Sequence, residues 1–371
     1  MQHTNYPNKC AWNPLSRSGI TPSGFVACSF YNSPYLRAVV WNPTSGATAT
    51  YTSSTSYKLI DLTTRKQGGW VVGVPSHTTG IVLYSFDKAS GFGSESRVLE
   101  GSDFNGAAFS RDGDKLLLST SSSLKMYSFS KSGLGSELAL ASTSVSGITS
   151  VSASFDFNTY IVVGTGGGVE IRSFDNLSSS GSAWSGSSLG ALKFGALSGL
   201  MANGYRYWAV GQKEANDYAA SDLWFGRLTG DNAFGTAYKV NVNTDKTRKV
   251  FSVAFCENRN AMLVGQNTND NDTDNPGNDL HSWLLGSTLQ NETGPPSGSY
   301  DGQRATNGNA RGGAPWSLLC IPGTDSVVAG LGYGWNNTRG LDAASIAANG
   351  SLSGLSDPAS MGSGVDGLDW F

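Results

Sequence analysis

The densest group of potential metal ligands lies in residues 266–281, which read QNTNDNDTDNPGNDLH. Asp270, Asp272 and Asp274 alternate along this segment, and Asp279 follows them. Such oxygen-rich stretches resemble the loops that bind hard cations. The EF-hand pattern fails, because Gly is absent from the sixth position and no Glu closes the loop at the twelfth. We expect a solvated polar loop and no cofactor, with a Ca²⁺ site as the alternative.

A second group of candidates combines aromatic rings and guanidinium groups on long loops. Such rings can stack on a sugar or a partner protein, and guanidinium groups donate several hydrogen bonds. The candidate binding residues are Tyr218, Tyr300, Arg304, Arg311, Tyr333 and Trp335. The alternative interpretation is that each ring packs locally and holds its own loop in place.

Catalytic motifs are missing from the sequence. The three histidines, His3, His77 and His281, belong to no H-E-x-x-H or Ser/His/Asp pattern, and G-x-S-x-G does not occur. The glycine run at 166–168 follows no strand-to-helix pattern, so it does not predict a phosphate site. Asp and Glu are scattered, and no pair stands out as a glycosidase-type dyad. We therefore predict no catalytic residues and no enzymatic activity.

Composition indicates a compact, turn-rich β protein. Charged residues make up 14% of the 371 residues, and Gly occurs 48 times. Aromatic residues at 11% argue against disorder, because disordered chains lack large apolar rings. The net charge of −3 and the absence of a basic patch argue against a nucleic-acid partner.

Two absences bear on localisation. No segment approaches the roughly 18 apolar residues of a membrane helix, so we expect no membrane insertion. Residues 1–9 are polar, and no apolar stretch typical of a signal peptide follows them. We expect synthesis in a cytoplasm. The chain then either stays there or leaves by a route that needs no cleaved signal, of which assembly into a virus particle is one.

Cysteine spacing argues against zinc and redox motifs, because no C-x-x-C pair exists. Cys10, Cys28, Cys256 and Cys320 are widely separated. We interpret all four as small buried apolar residues. A disulfide is the alternative, and Cys10–Cys28 would then be the pair.

The candidate binding and metal-ligating residues must be positioned by the fold, and the sequence indicates that the fold is built from a repeated unit. The repeat is easiest to recognise at 104–137. Its third apolar run, LKMYSFSKSGLGSE, has relatives elsewhere in the chain. The equivalent positions are Trp41, Tyr84, Tyr127, Arg172, Phe225, Leu284 and Ala344. The steps between them are 43, 43, 45, 53, 59 and 60 residues, and the first three match four-stranded propeller blades.

Each copy follows two shorter apolar runs, which predict a first and a second strand. Continuous apolar runs such as KLLLS at 115–119 are typical of strands buried on both faces. In SRDGD at 110–114, Asp-Gly supplies a hairpin turn. We predict an all-β, seven-bladed β-propeller.

Ring closure has two candidates, because eight runs resemble first strands and only seven second strands follow. We expect VDGLDWF at 365–371 to pair with FVACSF at 25–30, so that the C-terminal segment 364–371 closes the ring. KCAWN at 9–13 is the competing candidate. The predicted domains are therefore an N-terminal segment at 1–23, which lies on an edge or contacts a partner, and one propeller at 24–371.

The longer blades five to seven carry their insertions on one face of the predicted disc. Second-to-third strand loops at 212–222, 266–282 and 331–340 lie on the same face as the connection at 294–315. Long loops on a rigid scaffold are common binding sites, so we predict that this face is functional, with neutral loop drift as the alternative.

The repeats also carry a family resemblance. SPYLRAVVWNPTSG, LYSFDKASGFGSE and the unit at 106–137 resemble WD-repeat-like units of tailed-bacteriophage and marine viral proteins. The resemblance covers residues 25–183, and beyond them only the spacing persists. It implies a virion-associated propeller, such as a head decoration, a tail or fibre component, or a receptor-binding module.

We therefore expect a non-enzymatic virion structural or adhesion protein. The implied partners are other virion proteins and a host-surface glycan or receptor, and the implied location is the virus particle. A propeller lectin is the alternative, although it should repeat pocket residues from blade to blade. A hydrolase at the mouth of the central tunnel is the third hypothesis.

Overall fold

The computed structural model describes residues 9–13, 24–29, 35–42, 46–175, 182–185, 192–212, 223–230, 233–240, 247–268, 280–286, 298–300, 314–332 and 341–356. In these ranges the chain forms seven antiparallel sheets. One short 3₁₀ turn, Glu257–Arg259, interrupts the strands. No helix in this part of the chain is long and apolar enough to cross a membrane.

The sheets follow one another along the sequence, and each takes its strands in chain order. Blade one contains β1 (Cys10–Asn13), β2 (Gly24–Ser29), β3 (Leu36–Asn42) and β4 (Gly46–Thr52). Blade two contains β5 (Leu59–Arg65), β6 (Trp70–Pro75), β7 (Ile81–Asp87), β8 (Gly91–Phe92) and β9 (Ser96–Val98). Blade three contains β10 (Gly106–Phe109), β11 (Lys115–Ser119), β12 (Ser123–Ser130) and β13 (Gly133–Ser142).

The remaining blades have the same order. Blade four contains β14 (Ile148–Ala153), β15 (Thr159–Gly164), β16 (Gly168–Ser173) and β17 (Ser182–Ser185). Blade five contains β18 (Leu192–Leu197), β19 (Tyr207–Gln212), β20 (Leu223–Leu228) and β21 (Phe234–Val240). Blade six contains β22 (Thr247–Cys256), β23 (Ala261–Thr268), β24 (Leu280–Leu284) and β25 (Gly298–Tyr300). Blade seven contains β26 (Ala314–Cys320), β27 (Ser326–Gly332), β28 (Leu341–Ile346) and β29 (Leu352–Ser356).

The first strands form a closed ring, which confirms the seven-bladed β-propeller. Each first strand contacts that of the next blade, and β26 of blade seven contacts β1 of blade one. Seven apolar clusters fill the described interfaces, one between each pair of neighbouring blades. Along β11, Leu116 and Leu118 pack toward blade two, whereas Leu117 packs toward blade four. This alternation explains the continuous apolar runs, because both faces of a blade are buried.

In blades two and three, a hydrogen bond joins the Tyr of the repeated motif to the Glu at its end. Tyr84 donates its hydroxyl to the carboxylate of Glu95 in blade two. In blade three, the Tyr127 hydroxyl lies 3.0 Å from Glu137 Oε2. The Tyr of the third strand and the Glu that ends the unit therefore join the third strand to the segment after it. The turn at 110–114 is also as predicted, with the Gly113 N–H donating to the Ser110 carbonyl at 2.9 Å.

We expected residues 364–371 to pair with the second strand of blade one and so to close the ring. That expectation is wrong, because β1 occupies this position. β1 pairs with β2 in antiparallel register, with Cys10 opposite Cys28 and Asn13 opposite Phe25. The first blade therefore includes residues before position 24, where we expected the propeller to begin. A short connection joins β1 to β2, so this pairing closes a much smaller loop than a strand from the other end of the chain would. Residues 364–371 lie outside the described residues.

All four cysteines are buried, as expected, but the interpretation of them as apolar residues without disulfides is wrong. Cys10 forms a disulfide with Cys28, which was the alternative, and Cys256 forms one with Cys320. No cysteine of the chain is free. The first disulfide joins β1 to β2 within blade one. The second joins the ends of β22 and β26, so it links blade six to blade seven.

We predict that both disulfides stabilise the ring by restricting the unfolded chain. They join positions separated by 18 and 64 residues. Loop-closure entropy then gives about 3 kcal/mol for Cys10–Cys28 and about 4 kcal/mol for Cys256–Cys320. Urea unfolding of the two double Cys→Ala variants should show losses of this size and in this order. Peptide mapping without reductant should recover these two cross-links, and four titratable thiols would contradict the assignment.

Candidate functional site

The structure leaves most of the predicted site outside its described residues. This holds for Tyr218, Arg304, Arg311, Tyr333, Trp335, Asp270, Asp272, Asp274 and Asp279. Only Tyr300 has a described backbone, in β25 opposite Leu280 of β24. The predictions of a binding face and of a solvated Asp loop therefore remain predictions.

A central tunnel is enclosed by the first strands of the ring. Its volume is about 640 Å³, and all seven first strands line it. Small side chains such as Ser150, Ser152 and Ser252 are among the residues that line it. The two mouths of the tunnel differ in their charged groups. We name them by face: the first strands begin at the loop face and end at the turn face.

The loop-face side of the tunnel contains a structural ion pair. The Lys9 ammonium contacts the Asp61 carboxylate, and the Asp61 side chain is buried. Asp61 also accepts hydrogen bonds from the backbone N–H groups of Leu62 at 2.9 Å and Ala107 at 2.8 Å. One carboxylate therefore joins blades one, two and three. We interpret this pair as structural, because the Asp61 carboxylate already has three partners.

The turn-face mouth is crossed by an aromatic ring from blade four. Phe155 follows β14, yet it packs against the cluster between blades one and seven on the far side of the tunnel. Lys66, in the turn after β5, places its ammonium 3.5 Å from the centroid of the Phe155 ring. A cation held over an aromatic face is attracted by the ring quadrupole. Blades two and four thus meet over the tunnel axis.

Two carboxyl groups lie beside this ring on the same mouth. Glu257 begins the 3₁₀ turn after β22, and its Oε1 accepts a hydrogen bond from the Gly199 N–H at 3.0 Å. A Cβ atom on Gly199 would lie 2.5 Å from Asp156 Oδ2 and 3.2 Å from Glu257 Oε1. Gly199 therefore allows both carboxyl groups to approach the backbone of blade five. Asp156 is exposed, whereas Glu257 is partly buried.

Burial gives Glu257 and Lys66 unusual proton affinities. Loss of hydration raises the pKa of Glu257 to about 7; the hydrogen bond from Gly199 opposes this shift, and the Asp156 charge adds to it. Loss of hydration likewise lowers the pKa of Lys66 to about 8, against the attraction of Asp156. Both groups therefore titrate close to neutral pH.

This arrangement can exchange protons and hold a polar ligand. A carboxyl group with a pKa near 7, beside a second carboxylate, has the properties of a general acid or base. The same groups could instead bind a charged partner at the rim, where Leu200 leaves 53% of its surface exposed. We name Lys66, Phe155, Asp156, Gly199 and Glu257 the turn-face cluster.

Sequence reasoning missed the turn-face cluster because its members come from four segments that are more than 40 residues apart in the chain. A signal was nevertheless present. Charged residues come within three positions of the end of the first strand in several blades, as with Lys66, Arg111, Asp156 and Glu257. In a propeller these equivalent positions meet around one mouth of the tunnel. The cluster lies on the opposite face from the long loops that the sequence favoured.

Comparisons with known proteins support the fold and nothing narrower. Neither a protein-family model nor a curated protein matches the sequence. Among solved structures, the chain is similar to U3-55K, with a TM-score of 0.58 over 88% of this chain and 90% of that one. It is also similar to the RRP9 WD40 repeats, with a TM-score of 0.57 and 88% of each chain covered. Identity is 12% in both cases, so the likeness is one of fold: a WD40-repeat-like β-propeller.

We predict that the ionisation of Glu257 destabilises the folded protein. Its pKa is about 7 in the folded state against an ordinary value of 4.5, so the folded state holds the proton more tightly. Stability should therefore fall as the pH rises through this window. Glu257→Gln removes the charge and keeps an oxygen for the Gly199 N–H. Its melting temperature relative to wild type should increase between pH 4.5 and pH 7.

The control for this experiment is Glu100→Gln. The Glu100 side chain is 62% exposed and lies 4.0 Å from Arg97, so its substitution should give a flat difference over the same range. A flat profile for Glu257→Gln would contradict the raised pKa.

Proposed function

We propose that this chain is a non-enzymatic structural or adhesion protein of a virus particle, which acts as a rigid interaction scaffold. A seven-bladed propeller is suited to protein–protein interaction, because its packed blades hold surface loops in fixed positions. The narrower assignment to a virion rests on the resemblance of residues 25–183 to WD-repeat-like viral units. Its partners would be other virion proteins and a host-surface glycan or receptor.

The observation that carries this proposal is the reinforcement of the ring. Each interface between neighbouring described blades combines an apolar cluster with polar links between the blades. Examples are Thr64 Oγ1 donating to the Trp12 carbonyl at 2.8 Å and Ser154 Oγ donating to the Ser198 carbonyl at 2.9 Å. Cys256–Cys320 adds a covalent link between blades six and seven, and Cys10–Cys28 adds one within blade one. Disulfides persist outside reducing compartments, which supports a protein exposed on a released particle.

Co-purification with particles tests the virion assignment. Particles from cells that express the gene would be banded on a density gradient and analysed by quantitative mass spectrometry. We expect the chain to band with the major capsid protein at a constant ratio across independent preparations. Recovery only in the soluble fractions, with none in the particle band, would contradict the proposal. The lysis supernatant provides the control for adventitious carry-over.

A glycan array separates adhesion from the lectin alternative and tests the predicted binding face. If the long-loop face binds a glycan, the double variant Tyr333→Ala/Trp335→Ala should lose the signal, because stacking platforms are removed. The matched control is Tyr205→Ala, which removes an aromatic residue that is 40% exposed on the turn face. Loss of binding in the control variant alone would place recognition at the turn face.

A hydrolase at the tunnel mouth is the second candidate, and the turn-face cluster favours it. Glu257, with a pKa of about 7, would act as the general acid and Asp156 as the second carboxylate. Screening against aryl glycosides and esters tests this idea. Activity that is lost in both Glu257→Gln and Asp156→Asn, with melting retained, would replace the scaffold proposal.

A further inference from the structure

The outer edge of blade three is unusual among the described blades. Its outer strand, β13 (Gly133–Ser142), has ten residues, whereas no other outer strand in the described ranges exceeds seven. Within these ranges β13 pairs only with β12, on one side. Such an edge presents a row of unpaired backbone donors and acceptors to solvent, and it is a template for another strand.

The side chains of β13 do not protect this edge. Leu138 is 51% exposed and Leu140 is 61% exposed, and they are two of the four large apolar residues that the described structure exposes. Natural edge strands usually carry Lys or Pro, which discourage pairing. The single charged residue of β13 is Glu137, which accepts a hydrogen bond from the Tyr127 hydroxyl at 3.0 Å. The exposed positions of β13 therefore carry leucines instead of the charged residues or prolines that would discourage pairing with another strand.

The neighbouring blade leaves this region uncovered. Leu140 lies opposite Lys125 of β12, on the face of the blade that packs toward blade two through Phe129. The outer part of blade two consists of two short pieces, β8 with two residues and β9 with three. Neither is long enough to cover a ten-residue neighbour, which accounts for the exposure of Leu140.

The sequence of the edge is nearly symmetric about Ala139. Residues 136–142 read SELALAS, so reversing the order changes only the second and sixth letters. An antiparallel pair of identical strands around a two-fold axis requires such self-complementarity. With Ala139 on the axis, Leu138 of each copy faces Leu140 of the other. Glu137 then faces Ala141, so no like charges oppose each other.

We propose that a second copy of this chain pairs with β13 along this edge, which joins two propellers through one eight-stranded sheet. The two-fold axis passes midway between the two Ala139 residues, perpendicular to the sheet. The two discs then touch at their rims, with the turn face of one beside the loop face of the other. This dimer does not depend on the virion assignment or on the turn-face cluster.

Two features limit the extent of the contact. A bulge interrupts the β12–β13 ladder at Leu138, and regular pairing with β12 resumes from Ala139 to Ser142. The carbonyl of Ser142 already accepts a bond from Arg172 at 3.2 Å, so the free edge ends there. A pairing of about seven residues buries less than the roughly 1,200 Å² of a stable interface. The dimer is therefore weak in solution, and a repetitive array would strengthen it by avidity.

Sedimentation velocity from low micromolar to near-millimolar protein tests the dimer. Wild type should show a reversible monomer–dimer equilibrium. Leu138→Lys/Leu140→Lys places cations in the symmetric leucine pairs and should weaken dimerisation by more than about tenfold. The matched control is Leu200→Lys, which changes a leucine that is 53% exposed on blade five and should dimerise like wild type. Because all three leucines are exposed, melting temperatures should be retained.

Cysteine cross-linking gives a second readout that detects a weak dimer. All native cysteines are in disulfides, so Ala139→Cys carries the only thiol. On the two-fold axis, directly opposed residues have Cα atoms about 4.5–5.5 Å apart, and mild oxidation should give a covalent dimer. Ser132→Cys, in the exposed turn before β13, should not cross-link.

Several outcomes would overturn the proposal. One is a strictly monomeric wild type together with no cross-linking at position 139. Another is a dimer that Leu200→Lys disrupts and the β13 variant leaves intact. Selective cross-linking of position 139 to a different protein in particles would show that the edge binds a foreign strand instead.

Discussion

The packing of blade seven against blade one is the interaction on which the rest of the structure depends. Every blade is apolar on both faces, so an open ring would leave two large apolar faces in water. Ile321, Val328 and Ala343 of the last blade pack against Trp12 and other residues of the first. In the described residues no strand is exchanged between these blades, so side-chain packing carries the closure.

A hydrogen bond and a disulfide at β1 reinforce this closure. The Cys10 N–H donates to Ser317 Oγ of blade seven at 2.8 Å, and the Cys10 disulfide holds β1 on β2. Cys256–Cys320 holds the other side of blade seven to blade six. The blade at the end of the chain is therefore held on both sides, whereas the regular blades two to four contain no disulfide.

The same ring produces two different surfaces. The loop face holds the strand ends that flank the insertions of blades five to seven, and the turn face brings Lys66, Asp156 and Glu257 together around Phe155. The rigid ring stabilises the turn-face cluster, because three separate blades must hold their charged groups close together where those groups are partly shielded from water. Outside the ring, the rim of blade three exposes apolar side chains that a neighbouring blade would otherwise cover.

The sequence by itself determined the all-β class, the seven repeats, the second and third strands of each blade and the Asp-Gly turn, because these depend on local patterns of apolar and turn residues. The motif that revealed the repeat also carries its own hydrogen bond between Tyr127 and Glu137. Only the tertiary structure decided that β1 fills the first position of blade one, because KCAWN and VDGLDWF have the same local pattern. The tertiary structure also decided that Cys256 bonds to Cys320 and that Lys66, Asp156 and Glu257 lie close together. The reason is that closure of the ring determines which turns, distant in the sequence, become neighbours.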